Sequence, residues 1–163
     1  MTCRILLYSN AGRTQKVGEE LAWELGAQLH EIGSVAPEET LWSRLKMRLF
    51  SMLPNQDGYE VPDQPWDRSD LLILGTPVCN GKPARPLRQW LESHPALPDR
   101  IAFLMVSDQG DYPAEAVEEM TTLTGHAPVA VLHVCNGDLA TGNWKSRMQH
   151  FLDQCVVRYR KTA

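Results

Sequence analysis

The chain has 163 residues, of which 43% are hydrophobic and 22% charged, and its formal net charge is -4 at pH 7. This composition excludes a disordered chain, and the length predicts a single domain, residues 1–163, with one hydrophobic core. No apolar run approaches the ~20 residues that cross a bilayer, so no integral membrane segment is expected. The weakly acidic balance argues against nucleic acid as a partner.

The N-terminus and the cysteines both favour a cytoplasmic protein. Arg4 is followed only by the short run ILLY, which is too short for the apolar part of a secretory signal. The four cysteines, at positions 3, 79, 135 and 155, form no CxxC pair and show no metal-ligand spacing. We therefore expect reduced thiols and no metal site, and the five scattered histidines are read as surface or hydrogen-bonded residues.

Five short apolar runs recur along the chain and predict five β-strands. The first, third and fourth are apolar nearly throughout, as interior strands of a parallel sheet are, and the second alternates, as an edge strand does. The runs are CRILLY (3–8), AQLHEI (27–32), LLILG (71–75), IAFLMVS (101–107) and VAVLHV (129–134).

Apolar residues at helical spacing follow each predicted strand. This alternation predicts an open, mostly parallel sheet with helices on both faces, joined by right-handed crossovers. The segment 54–68, with three prolines and no period, predicts a long surface loop. The helices are marked by Val17, Leu21 and Leu25; Leu41, Leu45, Leu49 and Leu53; Leu87, Trp90 and Leu91; Ala116, Val117, Met120 and Leu123; and Trp144, Met148, Phe151, Leu152 and Cys155.

Four of the tryptophans fall at helical positions and are expected to pack in the core or between helices. They are Trp23, Trp42, Trp90 and Trp144. The helix predicted over 41–53 is amphipathic and carries three basic residues, which are read as a solvated face. Docking of this helix on a partner protein or on a membrane surface is the alternative.

The segment YSNAGRT, residues 8–14, stands between the first predicted strand and the first predicted helix. In such sheets ligands bind beyond the carboxyl ends of the strands. A helix N-terminus leaves N–H groups unpaired and is partly positive, so a phosphate is the natural ligand there. Neither GxGxxG nor GK[ST] is present, which excludes the dinucleotide fingerprint and the triphosphate loop. The alternative is a helix start capped by Ser9 or Asn10.

Three segments together resemble the flavodoxin-like FMN-binding proteins of the short-chain type. YSNAGRT is similar to their phosphate-binding loop, LLILGTPVCNGKPARPLRQWL to their second flavin loop and FLMVSDQGDYPAEAVEEM to their third. The order and spacing of the three match across nearly the whole chain. The resemblance implies an α/β three-layer sandwich with a five-stranded parallel sheet in the order 2-1-3-4-5.

The resemblance also implies a cofactor, FMN, and a set of site residues. The phosphate loop corresponds to Ser9, Asn10, Ala11, Gly12, Arg13 and Thr14. One side of the isoalloxazine corresponds to Thr76, Pro77, Val78, Cys79, Asn80 and Gly81, and the other side to Ser107, Asp108, Gly110 and Tyr112.

The chain departs from the family pattern in two places. Cys79 and Asn80 stand where many relatives have aromatic residues, which leaves Tyr112 as the best stacking residue, with Trp66 and Tyr59 as further candidates. Ala11 replaces a threonine that is common in the family and removes one hydroxyl from the phosphate, worth about 1 kcal/mol.

The implied function is electron transfer through non-covalently bound FMN, in which the flavin carries the chemistry. Electrons would come from a redox partner protein or from NAD(P)H, so a small NAD(P)H-dependent FMN or quinone reductase is an alternative. Asp108 and Asp111 are expected to disfavour the negatively charged reduced flavin. A third alternative, which the departures at Ala11, Cys79 and Asn80 motivate, is a flavin-free binding or regulatory module on the same fold.

The segment CNGKPAR gives one competing signal. Cys79 and Arg85 have the C-x5-R spacing of cysteine-dependent phosphatases, in which a thiolate attacks phosphorus. Lys82 and Pro83 interrupt that loop, and Pro86 stands where a serine or threonine normally follows the arginine. The phosphatase reading is therefore disfavoured.

Overall fold

The computed structural model describes residues 1–34 and 58–162 of the chain. Its strands are β1 (Cys3–Leu7), β2 (Gln28–Glu31), β3 (Gly33–Ser34), β4 (Tyr59–Glu60), β5 (Leu71–Cys79), β6 (Lys82–Pro83), β7 (Ile101–Ser107) and β8 (Val131–Cys135). Its helices are α1 (Arg13–Leu25), α2 (Arg85–Glu92), α3 (Ala114–Thr124), α4 (Asn136–Thr141) and α5 (Trp144–Thr162), and a 3-10 turn covers Trp66–Arg68.

The long strands form one parallel sheet in the order β2-β1-β5-β7-β8. This arrangement confirms the predicted order 2-1-3-4-5. The short β6 adds a sixth strand, antiparallel to the end of β5, which the sequence analysis did not predict. A separate two-stranded antiparallel sheet joins β3 to β4.

Helices cover both faces of the sheet, as predicted. Successive side chains of a strand point to opposite faces, so each interior strand contributes to two cores. On one face Leu7 and Ile73 pack with α1 and α5, and on the other face Leu72 and Leu74 pack with α2 and α3. Every residue of β7 is buried, which explains its uninterrupted apolar sequence.

Gly75 allows tight packing of β5 against β1 beneath the start of α1. A Cβ at Gly75 would lie 2.7 Å from Leu7 Cβ and 3.5 Å from Thr14 Cγ2, so only glycine fits on β5 at this level. Thr14, in the first turn of α1, is 2% exposed. The start of α1 is thereby held directly over β1 and β5.

Several predictions need correction or lie outside the described residues. The helix predicted over 41–53 lies outside them. The described part of the predicted loop 54–68 contains β4 and the 3-10 turn, and Trp66 is buried with its ring centroid 5.2 Å from that of His30 and 5.9 Å from that of Trp90. Trp144 is buried as expected. The expectation was wrong for Trp23, which is 85% exposed on α1.

Within the described residues, no helix combines the length and the apolar character needed to span a membrane. The prediction that residues 1–163 form one domain stays a prediction, since part of the chain lies outside the described residues.

Candidate functional site

The first loop, residues 8–12, leads from β1 into α1. Gly12 is the N-cap of α1, with φ 74° and ψ -2°, and no side chain caps the helix there. Ser9 Oγ accepts a long hydrogen bond of 3.4 Å from the backbone N–H of Gln15. Gly12 therefore occupies the N-cap position, and Ser9 supplies a long capping-type hydrogen bond to the third residue of α1. The positive end of α1 at this loop favours an anion.

The second loop is a β-hairpin rather than an irregular turn. β5 continues to Cys79, beyond the predicted end at Gly75, and Val78 and Cys79 pair with the two residues of β6. Asn80 and Gly81 lie between the strands with φ 52° and 74°, which are the two positive φ angles of a type I′ turn. The sequence analysis missed this hairpin, although an Asn-Gly pair after a strand is its known signal.

Thr76 fastens the hairpin to the start of α2. It is fully buried, and its hydroxyl accepts a hydrogen bond of 2.9 Å from Ala84 N–H and donates one of 2.9 Å to Pro77 O. Because the residues between Cys79 and Arg85 form a hairpin, they do not make the phosphate-binding cradle that a cysteine-dependent phosphatase requires.

The third loop, residues 108–113, follows β7. Ser107, at the end of β7, donates a hydrogen bond of 2.6 Å to Gln109 O, and its Oγ lies 2.7 Å from His133 Nε2 on β8. Tyr112 is 57% exposed, and its ring lies at 88° to that of His133, with 6.4 Å between centroids. The loop thus presents an exposed aromatic ring that rests on a buried histidine.

An ion pair joins the first loop to the third. Arg13 Nη1 lies 2.6 Å from Asp108 Oδ1 and also donates to Asn136 Oδ1. Asn136 Nδ2 in turn donates to Asp108 Oδ1 at 2.6 Å. The hydrogen bonds from Arg13 and Asn136, followed by the charge of Arg13, lower the pKa of Asp108. Asn136 was not among the predicted residues, because it is 123 positions from Arg13 and no local pattern marks it.

The residue that fixes the segment after β8 is Asp138. Its Oδ2 accepts hydrogen bonds from Cys135 Sγ at 2.9 Å and Cys135 N at 3.2 Å, and it forms an ion pair with Arg147 of α5. The hydrogen bonds from Cys135 and Arg147 lower the pKa of Asp138 to about 2. This network positions Asn136 beside the Arg13–Asp108 pair.

Two adjoining clefts open at the carboxyl edge of the sheet. The first cleft, about 470 Å³, lies between the first loop and the hairpin. The second cleft, about 610 Å³, lies between the hairpin and the third loop. Both share Cys79 and Asn80 at the hairpin tip, and both volumes are within the usual range of small-molecule sites, about 300–1,000 Å³.

Most of the predicted site residues line these clefts. The first cleft contains Ser9, Asn10, Ala11, Arg13, Thr14, Pro77, Cys79 and Asn80, and the second contains Val78, Cys79, Asn80, Gly81, Ser107, Asp108 and Tyr112. Three predicted residues lie beside them instead. Gly12 is the helix cap, Thr76 is buried beneath the hairpin, and Gly110 lines a third cleft that shares Tyr112 with the second.

The two clefts differ in charge. The basic side chains around the first are Arg13, Lys82, Arg85 and Arg88, and the acidic side chains around the second are Asp108, Asp111 and Glu115. Arg88 is paired with Glu119 at 2.6 Å, so part of the positive charge is offset. An anionic group is therefore favoured in the first cleft and disfavoured in the second.

Aromatic residues also border the first cleft. Tyr8 and Tyr59 both line it, with 6.2 Å between ring centroids and an interplanar angle of 75°. Burial, followed by the proximity of Tyr59 and Glu31, raises the pKa of Tyr8. Trp66 is buried among other aromatic rings, which leaves Tyr112 and Tyr59 as the stacking candidates at the clefts.

No protein-family model and no curated protein matches the chain. Solved structures do match. The chain is similar to a flavoprotein from Lactobacillus acidophilus NCFM in complex with FMN, at a TM-score of 0.63 and 20% identity, covering 88% of this chain and 98% of that one. It is also similar to a flavodoxin, WrbA-like protein from Agrobacterium tumefaciens, at a TM-score of 0.64 and 16% identity over 99% of both chains.

The chain has the flavodoxin-like fold. A third similar structure is an NADH:FMN oxidoreductase in its apo form, at a TM-score of 0.58 and 12% identity, covering 95% of this chain and 88% of that one. Together with the strand order, these structures confirm the fold that the three sequence segments implied. At these identities the likeness concerns the fold, and the activity has to be argued from the site.

Proposed function

We propose that this protein binds FMN non-covalently in the two clefts and transfers electrons through it. The observation that carries the proposal is the pairing of a basic cleft at the N-terminus of α1 with an adjoining acidic cleft bordered by an exposed tyrosine. A phosphomonoester joined to an uncharged planar ring fits this pair of clefts, because the anionic phosphate is favoured in the basic cleft and only the ring has to enter the acidic one. The similar flavoprotein in complex with FMN supports the choice of ligand.

The first cleft fits the phosphate. The first N–H groups of α1 have no acceptors within the helix, and Gly12 provides no side-chain cap. Ser9 and Thr14 add hydroxyl groups, and Arg13 adds a full charge at the cleft wall. We assign the phosphate to Ser9, Asn10, Ala11, Gly12, Arg13 and Thr14.

The second cleft fits the ring system. The hairpin supplies one wall and the third loop the other, with Tyr112 exposed for stacking. We assign the ring to Pro77, Val78, Cys79, Asn80, Gly81, Ser107, Asp108 and Tyr112, and we assign a supporting role to Thr76 and Gly110. Thr76 acts from below by holding the hairpin to α2.

Bound FMN would supply reversible electron uptake at its ring system. The chain's own contribution is position and electrostatics. Asp108, Asp111 and Glu115 place negative charge around the second cleft, which disfavours additional negative charge on a ligand there. Arg13 offsets part of this effect, because it is paired with Asp108 at 2.6 Å.

The charge of the second cleft also favours one source of electrons. NADH and NADPH are anionic, and three carboxylates border the cleft in which a nicotinamide would have to approach the ring. We therefore propose a redox partner protein with a basic contact surface, acting in the cytoplasm. The FMN or quinone reductase is the second candidate, which the similar NADH:FMN oxidoreductase favours. Anaerobic addition of NADH or NADPH distinguishes them, since only a reductase is bleached by the nucleotide alone.

The deciding experiment is a visible absorption spectrum of the purified protein before and after reconstitution with FMN. We expect flavin absorption bands and about one FMN per chain, as a single site requires. A protein that takes up no FMN would contradict the proposal and support the flavin-free module.

A second experiment tests the placement of the phosphate. Arg13→Gln should weaken FMN binding at least about tenfold and leave riboflavin binding nearly unchanged, because riboflavin has no phosphate. Lys145→Gln is the matched control, since Lys145 is an exposed cation paired with Glu20 at 3.0 Å and lines neither cleft. Equal losses for FMN and riboflavin would place the phosphate elsewhere.

A further inference from the structure

A third cleft, of about 480 Å³, opens along the outer edge of β8, between the third loop and α5. Its volume is within the usual range of small-molecule sites, about 300–1,000 Å³. Among the described residues, Tyr112 is the one that it shares with the second cleft, and it shares none with the first. The FMN assignments therefore leave most of this cleft without a role.

The third cleft has an apolar floor and an aromatic wall. Leu132 of β8 and Phe151 of α5 line it and are each 1% exposed, so their side chains lie at its base. Tyr112 is 57% exposed and stands edge-on to His133, which also lines the cleft. A planar apolar group can pack against these surfaces and be shielded from water there.

The outer edge of β8 adds polar backbone groups. β8 is the last strand in the sheet, and Ala130 O, just before it, accepts a hydrogen bond of 3.0 Å from an N–H of β7. Peptide groups alternate along a strand, so the N–H and C=O groups of Val131 and His133 point away from β7. The next such N–H, that of Cys135, is already bonded to Asp138. These two residues are too few to pair with an added strand of the usual length, about five or six residues, so the edge favours a small ligand over an extended peptide.

Arg147 of α5 brings a positive charge to the wall of the third cleft. Its Nη2 pairs with Asp138, which fixes the guanidinium, and its other N–H groups make no hydrogen bond within the part of the chain that the structure describes. Its side chain is 47% exposed, and no carboxylate among the described residues lines this cleft. Arg147 can therefore donate charge-assisted hydrogen bonds to the carboxylate of a ligand.

We propose that the third cleft binds a small aromatic acid, with the ring against Tyr112 and Phe151 and the carboxylate on Arg147. The neighbouring second cleft is bordered by three carboxylates and would repel the same ligand. The proposal goes beyond the binding of FMN and does not depend on it, because Arg147 and Phe151 line neither of the clefts assigned to FMN.

Calorimetric titration of the purified full chain with cinnamate, a planar aromatic acid, tests the proposal at about pH 7. Cinnamamide is the matched neutral ligand, since it has an uncharged amide in place of the carboxylate. We expect saturable binding of cinnamate with a dissociation constant below about 1 mM, and binding of cinnamamide that is at least about fivefold weaker.

Arg147→Gln removes the positive charge from the third cleft. It should weaken the binding of cinnamate at least about fivefold and leave the binding of cinnamamide nearly unchanged. Lys145→Gln is the matched control, because Lys145 is an exposed cation of the same helix that does not line the cleft. We expect this control to bind both ligands as the wild type does.

Ser146→Glu is a second variant, which leaves the pair of Arg147 and Asp138 in place. Ser146 is exposed, lines the third cleft and is the third residue of α5, where a carboxylate is compatible with the helix dipole. The new negative charge should weaken the binding of cinnamate more than that of cinnamamide. Ser146→Gln is its control, because glutamine has the size of glutamate without the charge and should affect both ligands alike.

Three results would overturn the proposal. One is the absence of saturable binding of cinnamate up to about 10 mM. Another is an equal loss of affinity for both ligands in Arg147→Gln, since that would show a structural effect of Arg147. The third is a loss of cinnamate affinity in Arg13→Gln but not in Arg147→Gln, which would place the ligand in the first cleft. None of these comparisons requires bound FMN, so this site and the proposed function are tested separately.

Discussion

Replacing Asp138 with asparagine removes a carboxylate that fixes the segment after β8. Asp138 accepts hydrogen bonds from Cys135 and pairs with Arg147, and these contacts lower its pKa from 3.8 to about 2. This lowering of the pKa corresponds to at most about 2–3 kcal/mol. Because Arg147 is 47% exposed and solvent screens the pair, we expect Asp138→Asn to lower the free energy of unfolding by about 1 kcal/mol at pH 7.

The pH dependence of that loss distinguishes the charge from other effects of the substitution. The folded-state pKa is depressed, so the stabilisation is complete above the unfolded value of 3.8 and disappears as the pH falls towards about 2. Urea unfolding of both proteins at several pH values between about 7 and about 3 measures the difference. It should shrink steadily below about pH 4.

Asp153→Asn is the control for this experiment. Asp153 is an exposed carboxylate on the same helix as Arg147, and it accepts a long hydrogen bond of 3.4 Å from Gln149. We expect its substitution to change the free energy of unfolding by less than about 0.5 kcal/mol at every pH. An Asp138→Asn effect that is absent at pH 7, or that stays constant down to about pH 3, would refute the reasoning.

Three further predictions concern the site, and four substitutions test them. Thr76→Val leaves the N–H of Ala84 without its acceptor, so the free energy of unfolding should fall by about 1–3 kcal/mol. The melting temperature should fall by about 2–4 °C for each kcal/mol lost. An unchanged melting curve would contradict this prediction. Gly12→Ala places a side chain at φ 74°, and its matched control Gly142→Ala places one at φ 77°, so each should lower the free energy of unfolding by about 1–2 kcal/mol. Only Gly12→Ala should weaken FMN binding. Equal affinities of the two variants for FMN would argue against a phosphate at Gly12. Asp108→Asn removes one negative charge from the second cleft and should raise the reduction potential for the second electron by roughly tens of millivolts. For one electron, about 59 mV corresponds to a tenfold change in the equilibrium constant. A potentiometric titration that shows no shift would exclude an influence of Asp108 on this potential.

The strands and helices could be predicted from the sequence because each is marked by a pattern of apolar residues within its own segment. β7 is apolar throughout because both of its faces are buried, and Val17 and Leu21 recur at helical spacing because α1 packs one face on the sheet. The strand order came from the resemblance of the three loop segments, and the structure confirms it. The same spacing also accounts for the exposure of Trp23, which the sequence analysis overlooked: Trp23 is two residues after Leu21, and residues i and i+2 of a helix do not share a face.

The site was predicted less completely, for two physical reasons. The hairpin has a local signal in Asn80 and Gly81, which was overlooked because β5 was ended at Gly75. The contacts of Asn136 and His133 have no local signal at all. They are set by which strands become neighbours, so the partner of each lies on another strand or loop.

The Arg13–Asp108 pair connects the two clefts electrostatically. Arg13 lines the basic cleft and Asp108 the acidic one, and their side chains are 41% and 70% exposed. Solvent screens an ion pair this exposed, so its removal should scarcely affect folding. A phosphate in the first cleft would share Arg13 with Asp108 and leave more of the carboxylate charge uncompensated beside the ring. Occupation of the first cleft would therefore make the second more negative, which lowers the affinity of the reduced ring relative to the oxidised one.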